Sequence, residues 1–121
     1  MTSKDEPPKT VAELNGFKTG DSVKVKSGIR DPDNDKIVIG GWCGRIREIA
    51  EDGIVLIEWD SIAIRSMDIK QIKEYEKEGF EWGEMHLRLD EVDKCVTRDN
   101  EDDASEEISR IKWQYFRKEY F

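Results

Sequence analysis

Between Ser22 and Lys26 apolar and charged side chains alternate, with Val23 and Val25 on one face and Lys24 and Lys26 on the other. A period of two predicts a half-buried β-strand. Ser27 to about Gly41 has no period and holds Gly28, Pro32, Gly40 and Gly41, the composition of a long loop. Trp42 to Ala50 is predicted as a second strand with Ile46 and Ile49 as core residues. Their odd spacing predicts a bulge or strong bend near Arg47 and Glu48. Glu51-Asp52-Gly53 reads as a hairpin turn in which Gly53 takes positive φ. Ile54 to Trp59 is nearly all apolar and marks the central, most buried strand, with Trp59 continuing the face of Val55 and Ile57. Asp60 and Ser61 turn the chain, and Ile62 and Ile64 supply a short fourth strand. Four short strands within about 45 residues is the pattern of a small barrel.

The period then changes. Ile69, Ile72, Lys73 and Glu76 fall at helical spacing, which predicts a helix over 67–79 that ends at Gly79. Phe80, Trp82 and Met85 form an apolar patch, read as a single helical turn. Leu87, Leu89, Val92 and Val96 suit a returning extended segment that closes the barrel. The acidic run DNEDDASEE at 99–107 reads as a solvated linker, and Asp103-Ala-Ser-Glu106 matches a capping box from which a helix runs to about Tyr120. Positions 1–16, with Pro7 and Pro8, read as a flexible lead. The expected layout is mainly β with helical additions. A lead at 1–16 precedes a barrel of about five strands at 17–98, with its inserted helix after strand four. An acidic linker with an amphipathic helix follows at 99–121.

Residues 20–62 carry a denser pattern: Gly20-Asp21 opening a strand, Gly41, Gly44 and Ile46 approaching the next, then Val55, Ile57, Trp59 and Asp60. This stretch resembles the SH3-like small barrels, among them the KOW, Tudor and Mib–Herc modules. The resemblance implies an SH3-like barrel fold and a binding rather than catalytic role, since such barrels host many ligands. The longer pattern, with the Asp31–Asp35 loop and the acidic C-terminal extension, resembles small prokaryotic proteins described as calcium-binding.

Charge narrows the classes. The 121 residues carry 20 Lys+Arg against 28 Asp+Glu, a net charge of −8, and most of the excess acid lies after residue 66. That balance argues against a protein that neutralises many phosphates. Lys24, Lys26, Arg30, Arg45, Arg47 and Arg65 would carry a KOW-like nucleic-acid or polymerase-binding alternative, but they are interleaved with acids. No apolar run is long enough to span a bilayer, and Met1 is followed by polar residues rather than an apolar signal core. The expectation is a cytoplasmic protein without membrane contact. Cys43 and Cys95 lie far apart with no C-x-x-C, and read as separate thiols. His86 is the sole histidine and has no G-x-S-x-G to serve, so no enzyme is expected.

Three features could carry function. Asp31, Asp33 and Asp35 alternate in a loop as the first ligands of a calcium site do, and Ca2+ is the one cofactor the sequence offers. Lys36 stands where an EF-hand needs Gly and Trp42 where it needs Glu, so any such site is a looser loop. Asp, Asn and Pro are equally good loop formers without metal. Trp42 ends the long loop, where the barrel resemblance places aromatics that line a peptide groove; packing on the loop is the other reading. In the last helix Ile108, Ile111 and Tyr115 form one stripe and Trp113, Phe116 and Tyr120 another. One stripe covers the barrel. The second either meets a protein partner or a second copy of the chain, or is wedged against the Phe80–Met85 patch. The expected function is a non-catalytic protein-binding or accessory module, with calcium binding or nucleic-acid binding as alternatives.

Overall fold

The computed structural model describes residues 6–120, with side chains through Arg117. The strands are β1 (Thr10–Val11), β2 (Glu13–Leu14), β3 (Phe17–Lys18), β4 (Ser22–Val25), β5 (Arg30–Asp31), β6 (Asn34–Val38), β7 (Cys43–Ala50), β8 (Ile54–Trp59), β9 (Glu84–Arg88) and β10 (Val92–Lys94). The helices are α1 (Ser61–Ser66), α2 (Ile69–Glu78) and α3 (Asp103–Tyr120), and a single 3-10 turn at Leu89–Glu91 leads into β10. The fold is mainly β with three helices among the described residues.

The main sheet is antiparallel in the order β10-β4-β7-β8-β9, with β1 added beside the far end of β7. β7 and β8 are its spine. Their register passes from Ile46↔Ile57 to Glu48↔Leu56, so Arg47 is the extra residue of a bulge, where the spacing of Ile46 and Ile49 predicts one. Gly53 turns the hairpin at φ 92°, a conformation that costs a residue without Cβ little. Along β8, Val55, Ile57 and Trp59 face the core and are fully buried, together with Val23, Val25, Ile46 and Ile49.

Several expectations change. β9 and β10 are the two edges of the sheet and do not pair, so the sheet is open rather than a closed barrel. The 1–16 lead is attached from Thr10 onward, where Thr10 and Val11 pair with Ala50 and Ile49. The long loop contains the β5–β6 hairpin. Ile62 and Ile64 lie in α1, not in a strand. Asp60 caps this helix by accepting the Ala63 N–H at 2.8 Å, and the capped backbone outweighs the β preference of two isoleucines. Phe80–Met85 forms no helical turn; a turn at Trp82-Gly83 leads directly into β9. α2 ends as expected on Gly79, at φ 78°.

α3 packs chiefly against α1. Ala104, Ile111 and Phe116 are buried, while Tyr115 and Trp113 are largely exposed. Phe116 therefore belongs to the core, not to an exposed stripe. Beyond α1, Lys73 of α2 lies over the Tyr115 ring. The side chain of Tyr120 lies outside the described residues. At the helix start the Asp103 carboxylate reaches back to the Asn100 N–H at 2.9 Å, so Asp103 is the first helical residue rather than the cap.

The linker before α3 is held by charge. Asp99 accepts the Ser61 N–H at 2.7 Å and pairs with Arg45 at 2.8 Å. Arg98 is bidentate on the buried Asp60, at 2.8 and 2.7 Å. Glu107 pairs with Arg110 at 2.6 Å and lies 3.8 Å from Arg65. Burial works against the Asp99 charge, but the hydrogen bonds from Ser61 and the Arg45 guanidinium outweigh it and hold its carboxyl below the usual range. The Arg110 hydrogen bond does the same for Glu107, against its burial. Both groups have folded pKa values below their unfolded ones. Their stabilisation is full above the ordinary values of 3.8 and 4.5 and is lost as pH falls through the lower folded values. Urea titrations should give stability that declines below about pH 4 from these groups. Asp99→Asn should flatten that decline, and an unchanged acid limb in Asp99→Asn would remove Asp99 from this role.

Candidate functional site

Where β8, β9, α2 and the β5–β6 hairpin meet, they enclose a cleft of about 430 Å³. Each wall has a local cause. The hairpin is fixed by Asp31, which is 2 % exposed. One oxygen of its carboxylate accepts the Asp33 N–H at 2.8 Å and so shapes the Pro32 turn. The other accepts the Tyr75 hydroxyl proton, which ties the hairpin to α2. Burial, and then the Asp31 acceptor, push the Tyr75 phenol well above its ordinary value, so it remains a donor. Gln71 donates to the Tyr75 oxygen at 3.1 Å.

The opposite wall is aromatic. Trp42, half-buried at the end of the long loop, meets Trp59 edge to face with centroids 5.1 Å apart. Phe80 stacks edge-on to Tyr75 at 6.3 Å, and Trp82 is held by its indole N–H on Glu76 at 2.8 Å. Trp59 is 1 % exposed and its indole N–H has no acceptor among the described residues. Five aromatic rings thus line one cleft, with Leu56 and Met85 completing its apolar surface. Its charged lining is Asp31, Asp33, Glu81 and Glu84; among the described residues neither lysine nor arginine lines it.

The structure sorts the predicted residues. Trp42 is in the cleft. Asp31, Asp33 and Asp35 do not converge on a common point: Asp31 is spent inside on Asp33 and Tyr75, and the Asp35 carbonyl accepts from Arg30 at 2.8 Å. Among the described residues no group of three His, Cys, Asp or Glu side chains is placed to hold a metal ion, and the Asp31 carboxylate forms an Asx turn with the Asp33 N–H. Trp113 and Phe116 lie on α3, away from the cleft lining. The basic residues of the nucleic-acid reading mostly face carboxylates: Arg45 Asp99, Arg47 Glu58, Arg65 Glu107, and Lys26 Asp93 at 4.0 Å. Sequence reasoning missed Tyr75, Phe80 and Trp82 as parts of one site with Trp42; the signal available was an aromatic cluster flanking a helix end.

Cys43 and Cys95, far apart in sequence, border one small cavity on either side of β4. Burial first, then the neighbouring Cys43, push the Cys95 thiol up to about 11. Cys95 is therefore kept as a neutral thiol at neutral pH.

Tyr75→Phe should leave the buried Asp31 carboxylate short of one donor. The expected cost is about 1–3 kcal/mol in urea unfolding, with faster amide exchange across 33–38. A loss below about 0.5 kcal/mol would show that the hairpin does not depend on this tie.

No helix among the described residues is long and apolar enough to cross a membrane. No protein-family model, no curated protein sequence and no solved structure gives a match to this chain.

Proposed function

We propose that this chain is a non-catalytic, SH3-like protein-binding module that docks a segment of a partner protein in the aromatic cleft. The strand order supports the SH3-like reading: a five-strand meander in which the last strand returns beside the first, a long hairpin insertion after the first strand, and a 3-10 turn before the last. The observation that carries the function is the cleft itself. Trp42, Trp59, Tyr75, Phe80 and Trp82 converge there from four separate parts of the chain. Large rigid rings around one opening suit recognition of another polypeptide, because they supply contact area at little conformational cost. The docking role rests on the cleft and not on α3, since Phe116 is part of the core.

Phe80, which is 42 % exposed at the cleft rim, is the place for a photo-crosslinking phenylalanine analogue in the full chain, in the cells it comes from. Irradiation should yield an adduct with one defined polypeptide segment, mapped by mass spectrometry. Trp42→Ala and, independently, Leu56→Glu should abolish it. An absent adduct, or one indifferent to both substitutions, overturns the reading.

A further inference from the structure

We infer that the partner segment is a basic, extended one, which adds as a strand to the free edge of β9 and places a lysine or arginine side chain in the aromatic cleft. The inference rests on the reading of the cleft as a docking site.

The first observation is the edge. The Trp59 N–H bonds the Gly83 carbonyl at 3.0 Å, and the Leu89 N–H bonds the Gly53 carbonyl at 2.9 Å. In an antiparallel ladder hydrogen-bonded and non-bonded pairs alternate. The register Glu58↔Glu84, Leu56↔His86 and Ile54↔Arg88 therefore consists of non-bonded pairs. Glu84, His86 and Arg88 point their backbone N–H and C=O away from β8. The Arg88 N–H is met by the Glu91 carboxylate at 2.9 Å. The outward groups of Glu84 and His86 have no partner among the described residues. An unpaired strand edge of this kind is a template for another strand.

The second observation joins that edge to the cleft. Glu84, Met85 and His86 all line it. Successive strand residues point to opposite faces. A cleft touched by three in a row runs along the strand's edge, so a chain paired with β9 lies at its mouth.

The third observation is charge complementarity. Asp33, Glu81 and Glu84 line the cleft, and among the described residues His86 is its only residue of basic type. A cation that enters meets aromatic faces and acidic rim groups together, which a neutral or acidic side chain cannot exploit. Lysine and arginine also carry the apolar stem that such a lining needs.

The test uses the full chain labelled with 15N and the peptides acetyl-Thr-Val-X-Val-Thr-amide with X as Arg, Gln or Glu. The expected result is binding at least about ten-fold tighter for Arg than for Gln, with Glu weakest and the difference shrinking in high salt. The Glu84 and His86 amide signals should move to lower field and become protected from exchange. Glu81→Gln with Glu84→Gln should erase the preference for Arg without affecting the fold. Methylating every peptide amide should remove binding. Equal affinity for Arg and Gln, binding by the methylated peptide, or no binding by any peptide would each overturn the inference. So would Glu84 and His86 signals that move with protein concentration alone, which would assign the edge to a second copy of the chain. An acidic or helical segment crosslinked at Phe80 overturns this inference and leaves the docking site standing, whereas absence of any crosslinked segment removes both.

Discussion

Gly44→Ala is expected to cost about 3 kcal/mol or more, because overpacking against rigid backbone has no cheap relaxation. Gly44 lies in β7 opposite Trp59. A Cβ there would sit 2.3 Å from the Glu58 carbonyl oxygen and 2.7 Å from the Ile57 methyl. The first of these is main chain of the neighbouring strand, so only a separation of β7 from β8 relieves it. Those two strands hold Ile46, Ile49, Val55, Ile57 and Trp59, all fully buried. The measurement is urea unfolding at neutral pH, followed by tryptophan fluorescence and circular dichroism. A loss below about 1 kcal/mol would show that the two strands yield more easily than packed interiors do.

Ile57→Ala is the second large effect, at about 2–5 kcal/mol. Ile57 is fully buried on β8, faces Ile46 across the ladder and lies between Val55 and Trp59 on the core face. Its removal leaves a void walled by strands on both sides and therefore slow to collapse. The same unfolding experiment reads it. A cost below about 1 kcal/mol would place Ile57 outside the core and contradict the strand phasing.

That phasing was readable from local period alone. Val23 and Val25 announce their strand by alternation, and Val55 and Ile57 lie in a nearly unbroken apolar run. The bulge at Arg47 follows from two isoleucines three apart, and Gly79 marks the end of α2 because a left-handed residue must stand there. Each of these is decided within a few residues. What local pattern could not supply is the identity of the neighbours. Ile62 and Ile64 alternate like a strand, yet the Asp60 side chain had already been committed to capping a helix and to Arg98. Phe116 falls on a different stripe from Ile111 by angle, but both residues are covered. Asp31, Asp33 and Asp35 share a spacing with metal loops, and only the position of Tyr75, on a helix more than forty residues away, shows that Asp31 has another employer. The cleft is the extreme case. Its rings come from the loop before β7, from β8, from α2 and from the segment before β9, and no window of sequence contains them all.

The strand order has a kinetic consequence. β7 and β8 meet through a three-residue turn at Glu51–Gly53, whereas β10 must find β4 from the far end of the sheet. The entropy lost in closing a loop grows with its length, and distant pairings form only after that loss is met. The β7–β8 hairpin is therefore the natural nucleus, and docking of β10 on β4 belongs late in assembly. Substitutions that weaken Val92 against Val25 should then speed unfolding while leaving the refolding rate nearly unchanged, and those at Ile46 or Ile57 should slow refolding itself. All the rings of the cleft lie between β4 and β10 in the chain, so the binding surface can be in place before the last strand of the sheet arrives.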